Sequence, residues 1–329
     1  MEITHVGLGA WAIGGGTGRY GWGSQDDRDS IAAIHRAVEL GINWIDTAAV
    51  YGLGHSERVV GAALRELPRN QRPLVFTKGG LVWDDNNPGA EPKRIASPAS
   101  LRREVQASIE RLGVERIDLY QLHWPPDDGT PMSEYWGELQ AIKRDGLARA
   151  VGLSNHDVAH LARAEAIAHV ESLQPPFSVI RRKVADAELV WCEEHRTGVI
   201  VYAPMQSGLL TGSFTAARAA ALPANDWRSR SANFSGEPLR HNLALVDALR
   251  PIAARRGVSV GAIAIAWTLA WPGVTSAIVG ARNLGQVDGW IAAATLALAP
   301  EDLSDISAAI VATGAGSGPD HPPRPSVTA

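Results

Sequence analysis

Four side chains, Asp46, Tyr51, Lys78 and His123, are of the types needed to protonate a carbonyl oxygen as a hydride arrives at its carbon. Hydride addition leaves negative charge on that oxygen, and a free tyrosine, with a pKa near ~10, yields its proton poorly at neutral pH. A nearby ammonium stabilises phenolate and lowers that value, which is the part expected of Lys78. Asp46 would keep Lys78 charged and oriented, and a neutral His123 would donate a hydrogen bond to the carbonyl oxygen. A positioned acid of this kind is worth roughly 10²–10⁴-fold in rate. Each residue alone has a plainer reading: a loop cap for Asp46, a packing ring for Tyr51, a surface ammonium for Lys78, a satisfied core imidazole for His123. The signal lies in all four falling, in this order, at the ends of apolar strand-like runs.

Those runs set the frame. Segments 6–8, 42–46, 74–78, 117–123, 148–154, 170–174, 199–203 and 275–279 are short and mostly apolar on both sides, as buried parallel strands are. Segments of helical period lie between them: 27–40 ends at Gly41, 98–112 at Gly113, and 133–144 before Gly146. About eight β/α units favour closure into a (β/α)8 barrel, with functional groups on the βα loops at the C-terminal face. A single domain over residues 1–312 is expected, followed by a flexible tail over 313–329 that is rich in Pro, Gly and Ser. Segment 212–240 is too long for an ordinary connection and is expected to be functional or disordered.

With 329 residues and a formal net charge of −4, the chain has no long basic run, so nucleic acid is not an expected partner. No apolar run reaches the ~18 residues of a membrane span, and no signal-peptide pattern follows Met1. Cys192 is the single cysteine, which excludes an intrachain disulfide and a multi-cysteine zinc site. A cytoplasmic protein without a metal is the expectation; oligomeric state is left open.

The runs Gly41-Ile42-Asn43-Trp44-Ile45-Asp46-Thr47-Ala48, Tyr51-Gly52, Ser56-Glu57, Val60-Gly61 and Thr77-Lys78 resemble the aldo-keto reductase family. So do Asp118-Leu119-Tyr120-Gln121-Leu122-His123-Trp124, Gly152-Leu153-Ser154-Asn155, Gly208-Leu209-Leu210-Thr211-Gly212 and Val279-Gly280-Ala281-Arg282. The resemblance covers about residues 6 to 305 and is nearest to the bacterial branch that includes the potassium-channel β-subunit-like reductases. It implies a barrel that binds an extended nicotinamide dinucleotide without a Rossmann domain, with Asp46, Tyr51, Lys78 and His123 as the catalytic tetrad. It also implies that Ser154, Asn155 and Gln174 hold the nicotinamide carboxamide and that Tyr202 stacks on its ring. Ser207, Gly208 and Leu210 would cover the pyrophosphate, and Gly280, Arg282 and Gln286 the adenosine end, with Gly9, Trp11 and Pro204 as further cofactor contacts. A guanidinium at Arg282 pairs well with the 2′-phosphate that only NADP carries, so NADPH is expected, with NADH as the alternative. Two positions depart from the family pattern. Ala10 stands where a small hydroxyl or thiol residue is common. Trp290 stands where an Asn usually contacts adenine, so its indole either stacks near adenine or packs inward.

Gly14-Gly15-Gly16 and Gly18 lack the G-x-G-x-x-G spacing ahead of a helix and are read as loop flexibility near the substrate. Trp22, Trp83, Trp124 and Trp227 are the expected walls of a partly apolar substrate pocket for a small carbonyl or sugar. The leading expectation is NAD(P)H-dependent reduction of small aldehydes or ketones with Tyr51 as general acid. Three alternatives stand beside it: oxidation of an aldose or polyol, a redox-sensing or docking subunit whose catalysis is secondary, and a metal-dependent hydrolase on the same barrel.

Overall fold

The computed structural model describes residues 1–16, 21–224 and 226–323. Its strands are β1 (Val6–Gly9), β2 (Trp44–Asp46), β3 (Leu74–Gly79), β4 (Leu81–Val82), β5 (Lys93–Arg94), β6 (Ile117–Leu122), β7 (Ala148–Ser154), β8 (Ser172–Gln174), β9 (Gly198–Tyr202) and β10 (Val274–Gly280). The helices are α1 (Asp27–Glu39), α2 (His55–Glu66), α3 (Pro98–Leu112), α4 (Met132–Arg144), α5 (Val158–Glu165), α6 (Glu188–His195), α7 (Ala216–Ala220), α8 (Gly236–Arg256), α9 (Val260–Leu269), α10 (Leu284–Trp290) and α11 (Pro300–Thr313). All strands except β4 and β5 close into a parallel barrel in the order β1-β10-β9-β8-β7-β6-β3-β2, and β4 and β5 form an antiparallel hairpin outside it. The expected (β/α)8 barrel is therefore the fold.

Burial on both faces explains the continuously apolar strands. One face packs against the helices, with Val6, Leu8, Ile45, Val75, Val151, Leu173, Val199 and Val279 in the main core. The other fills the barrel interior with Trp44, Phe76, Leu119, Ile200 and Ile278. Trp44 stacks on Phe76 with ring centroids 5.0 Å apart. The indole fits because residue 7 is glycine: a Cβ there would run into the Trp44 ring. The helices end where the punctuation in the sequence requires. Asp26 caps α1 by accepting a hydrogen bond from the Arg28 amide, and α3 stops at Gly113, whose φ of 66° suits glycine.

Two expectations need correction, and one hairpin was not among the expected strands. Segment 212–240 is neither structureless nor one loop: it carries α7, two short 3₁₀ turns at Trp227–Arg230 and Ala232–Phe234, and the start of α8. The β4–β5 hairpin after β3 is too short to show a period-2 pattern in the sequence. The tail is not free from residue 313 onward. Ala315 is buried, and the Arg182 backbone N–H donates to the Ser317 carbonyl at 2.9 Å, so 315–318 are packed down. Gly18 and residues 324–329 lie outside the described residues.

Candidate active site at the C-terminal rim of the barrel

Neighbouring strands deliver the polar groups to one rim. Asp46 is the last residue of β2, Lys78 is near the end of β3, and His123 directly follows β6. The His123 amide donates to the Gly79 carbonyl at 3.0 Å, which fixes the exit of β6 against β3. Tyr51 lies in the short β2–α2 connection, held by its amide bond to Ala48 O and by the Ser56 amide bonding to Tyr51 O.

Lys78 Nζ donates to Asp46 Oδ2 at 2.6 Å and to Thr47 O at 2.9 Å, and the lysine is 1 % exposed. The ammonium stands 5.2 Å from the centroid of the Tyr51 ring. The Tyr51 and His123 rings meet edge to face at 5.7 Å. The four expected catalytic residues are thus assembled.

Burial dominates their electrostatics. It raises the Asp46 carboxyl and lowers the Lys78 ammonium, and their 2.6 Å contact acts against both shifts. Tyr51 keeps some open surface, yet desolvation, reinforced by the Asp46 charge, lifts its phenol well above the ordinary value of 10.0. The expectation that Lys78 makes Tyr51 more acidic is therefore corrected: burial and the Asp46 charge hold the phenol protonated. His123 is pushed well below 6.5, first by burial and then by the Lys78 charge, so it is neutral at pH 7. Its Nδ1 is buried without a hydrogen-bond partner among the described residues.

A second polar group follows from the ends of β7, β8 and β9. Ser154 Oγ donates to Gln174 O at 2.9 Å, and Asn155 Nδ2 donates to His123 O and to Ser154 Oγ. Tyr202 OH donates to Asn155 Oδ1 at 2.8 Å. Gln174 Nε2 donates to Asp46 Oδ1 and to Gln121 Oε1, both at 2.9 Å, tying this group to the Lys78–Asp46 pair. These bonds use both N–H of Gln174 and leave its Oε1 without a partner among the described residues. Asn155 holds φ at 61°, a left-handed conformation that Asn tolerates better than most residues.

Further round the rim, Gly9 pairs with both Asp46 and Gly280. Ala203, ahead of Pro204, has φ of 57°, and Gln206, Ser207 and Gly208 have φ of 45°, 55° and 94°. Such backbone concavities present N–H groups to anions. The amides of Gly208 and Leu210 both donate to Met205 O; Leu210 is buried, whereas Ser207 and Gly208 are half-buried and face outward. Gln286 Oε1 accepts from the Arg282 amide at 2.8 Å, and the Arg282 guanidinium donates to Gln25 Oε1 at 2.6 Å and to Ser24 O at 2.5 Å. Trp290 is 2 % exposed and packs inward.

The tryptophans divide. Trp11, Trp22 and Trp227 cluster beside Tyr51: Trp11 is 6.3 Å from Tyr51, 5.3 Å from Trp22 and 5.7 Å from Trp227. The indole N–H groups of Trp22 and Trp227 are buried without acceptors among the described residues. Trp83 and Trp124 make no ring contact with this cluster; Trp83 faces Arg111 at 5.9 Å and Trp124 faces Arg94 at 4.9 Å.

Several residues of the site were given no role in the reading of the sequence. Gln121, buried in the apolar run of β6, bridges Gln174 and Ser172; a polar residue inside such a run is the one signal that could mark it. Glu57, fully buried on α2, accepts from Thr77 Oγ1 and Arg111 Nε, each at 2.6 Å, directly behind Lys78. Arg228 lies 5.2 Å over Trp22 and bonds to Ser207 O, a contact across a long insertion that no local pattern announces. Among the described residues, no group of three or more His, Cys, Asp or Glu side chains is placed to hold a metal ion. No single helix there is long and apolar enough to cross a membrane.

The chain resembles known proteins along nearly its whole length. It is 34 % identical over 314 residues to an NADH-specific methylglyoxal reductase of Escherichia coli (strain K12), covering 92 % of this chain and 93 % of that protein. It is 33 % identical over 308 residues to the aldo-keto reductase YhdN of Bacillus subtilis (strain 168), covering 93 % and 90 %. A solved glycerol dehydrogenase from Gluconobacter oxydans superposes with a TM-score of 0.86 at 37 % identity, covering 100 % of this chain and 96 % of that one. The aldo/keto reductase family model matches residues 5–311, and with the closed barrel and its rim the conclusion is that this chain belongs to the aldo/keto reductase family.

Proposed function

We propose that this oxidoreductase reduces small aldehydes or ketones to alcohols, with Tyr51 delivering the proton. The observation that carries the reading is a phenol held protonated beside a buried Lys78–Asp46 pair and a neutral imidazole. A bound NAD(P)H supplies the hydride. Ser154, Asn155 and Gln174 fit its carboxamide: they are already linked, and Gln174 Oε1 is free to accept an amide N–H. Tyr202 would flank the ring, Ser207 and Gly208 offer a concavity for the pyrophosphate, and Arg282 and Gln286 sit together at the adenosine end.

The residues then divide the work. His123, as neutral Nε2–H, orients the carbonyl oxygen; the other tautomer would leave a buried N–H at Nδ1 without an acceptor. As charge grows on that oxygen, the Tyr51 phenol gives up its proton, and Lys78 stabilises the phenolate left behind. Asp46 keeps Lys78 charged through the step. The Trp11, Trp22 and Trp227 cluster excludes water from one side. The test is turnover with a panel of small aldehydes in wild type and Tyr51→Phe, beside fluorescence titrations of NADPH and NADH; full turnover in the variant would sink the reading.

This mechanism fixes a pH dependence. His123 must be neutral to donate one N–H while leaving its partner atom uncharged, and its pKa is held well below 6.5. Rate is lost only as pH falls through that depressed value, so kcat/KM for reduction should stay flat from neutrality down to pH 6.5. A pH–rate profile with its acid inflection at 6.5 or above would place a charged imidazole in the working enzyme and contradict this role.

For the cofactor we propose NADPH, on the strength of the Arg282 guanidinium. To meet a 2′-phosphate it would exchange its bonds to the neutral oxygens of Gln25 and Ser24 for a bidentate pairing with an anion. Arg282→Ala should weaken NADPH by about tenfold and NADH by much less, as a charge-assisted pair implies. Equal weakening of both in titrations would reject the 2′-phosphate contact. The NADH-specific E. coli relative is the reason this comparison is decisive.

A second reading, oxidation of a polyol in the reverse direction, is favoured by the glycerol dehydrogenase that is similar over the whole chain. Faster glycerol oxidation than aldehyde reduction would put it first.

A further inference from the structure

The segment after α11 is built into the far side of the site. Arg182, 4 % exposed, donates from Nη1 to the carbonyls of Val179 and Ala315 and from Nε to Gly318 O, while its backbone N–H donates to Ser317 O. Arg181 pairs with Ser317 in a parallel bridge. A guanidinium taken this far from water must satisfy its donors, and here the carbonyls of Ala315 and Gly318 join that of Val179 in doing so. Gly316 makes the approach possible: its φ is 67°, and a Cβ would strike the Ile180 backbone.

The loop it clasps leads to the cofactor end. Ser178 and Arg181 exchange backbone bonds, closing a tight turn. Buried Ser178 Oγ accepts from Gln206 Nε2 at 2.9 Å, and Gln206 precedes Ser207 and Gly208. Ahead of that turn, the Phe177 amide donates to Tyr202 O and the Tyr202 amide to Pro175 O. One connected path thus runs from 315–318 through Arg182 and Ser178 to the left-handed run at 206–208.

We propose that residues 315–318 form a strap that sets the cofactor-holding loop through Arg182 and Ser178, making both positioning residues for dinucleotide binding. The inference rests on the reading that Tyr202, Ser207 and Gly208 hold the cofactor. It is tested in the full chain with Gly316→Val, which dislodges the strap, with Ser178→Ala, which cuts the relay, and with both together. Fluorescence titration of NADPH and NADH gives Kd, and amide exchange at Arg182 reports the strap. Each single variant should weaken the tighter cofactor about fivefold, and the pair about fivefold rather than the product, as expected for residues in one network. The value of kcat at saturating cofactor should hold, and Arg182 exchange should rise in Gly316→Val alone. Unchanged Kd in both variants, or effects that multiply, would overturn the strap. If Gly316→Val does not fold, Ser178→Ala decides alone: unchanged Kd overturns the proposal, and a loss with kcat intact supports it. Failure of the unsubstituted chain to bind either cofactor overturns the functional reading and this inference with it, whereas normal binding with inert variants removes only the strap.

Discussion

Tyr51→Phe should lower aldehyde turnover by about 10²–10⁴-fold while leaving cofactor Kd within about twofold, the range expected for loss of a positioned acid. The variant removes one oxygen and keeps the ring. The edge contact with His123 at 5.7 Å, the Lys78 ammonium at 5.2 Å and the packing on Trp11 at 6.3 Å therefore all have the same partner. No described residue loses a hydrogen bond, so the fold has little reason to respond. What disappears is the acid proton beside the buried ammonium. Steady-state rates with fluorescence titration check this; a parallel loss of cofactor binding would mean that Tyr51 supports the site rather than the proton transfer.

Asp46→Asn should cost both stability and rate. Lys78 is 1 % exposed, and its remaining partner would be the Thr47 carbonyl. Removing one member of a buried pair typically costs about 3–5 kcal/mol, because the other charge is left uncompensated. With the carboxylate gone, burial is opposed only by the smaller pull of Tyr202 and Glu57, so it drives the ammonium further below its ordinary 10.5 and withdraws the charge that stabilises the Tyr51 phenolate. Turnover at neutral pH should therefore fall along with the denaturation midpoint. The double variant Asp46→Leu with Lys78→Met should recover much of the stability and none of the turnover, since apolar replacements of similar volume remove both desolvation costs. Denaturant titrations of the three proteins are the check. A single variant within about 1 kcal/mol of wild type would show that the pair is not the tight buried contact described, given the usual cost of breaking one.

Much of this molecule was legible from residue order. Runs apolar on both sides, such as Val75-Phe76 and Val199-Ile200-Val201, have a stable place only between two packed layers, so the alternation of strands and helices determined the barrel. Once the barrel is given, Asp46, Lys78 and His123 must share a rim, because parallel strands bring their C-terminal ends together. Helix ends were equally local: Gly41 and Gly113 have positive φ, which glycine adopts at no steric cost. Tertiary structure decided what depends on desolvation and on contacts across long sequence separations. The direction of the Tyr51 shift was misread because a charge partner is visible in a sequence and the depth of burial is not. Trp83 and Trp124 could not be separated from Trp22 and Trp227, since side chains on different loops meet only when the loops fold; Trp11 and Trp227 are far apart in sequence yet stack at 5.7 Å. Pro-, Gly- and Ser-rich composition after α11 suggested a free tail, but composition reports the absence of a regular period and not the absence of partners. The partner there is one buried guanidinium, Arg182, two of whose acceptors are supplied by the chain folding back upon it.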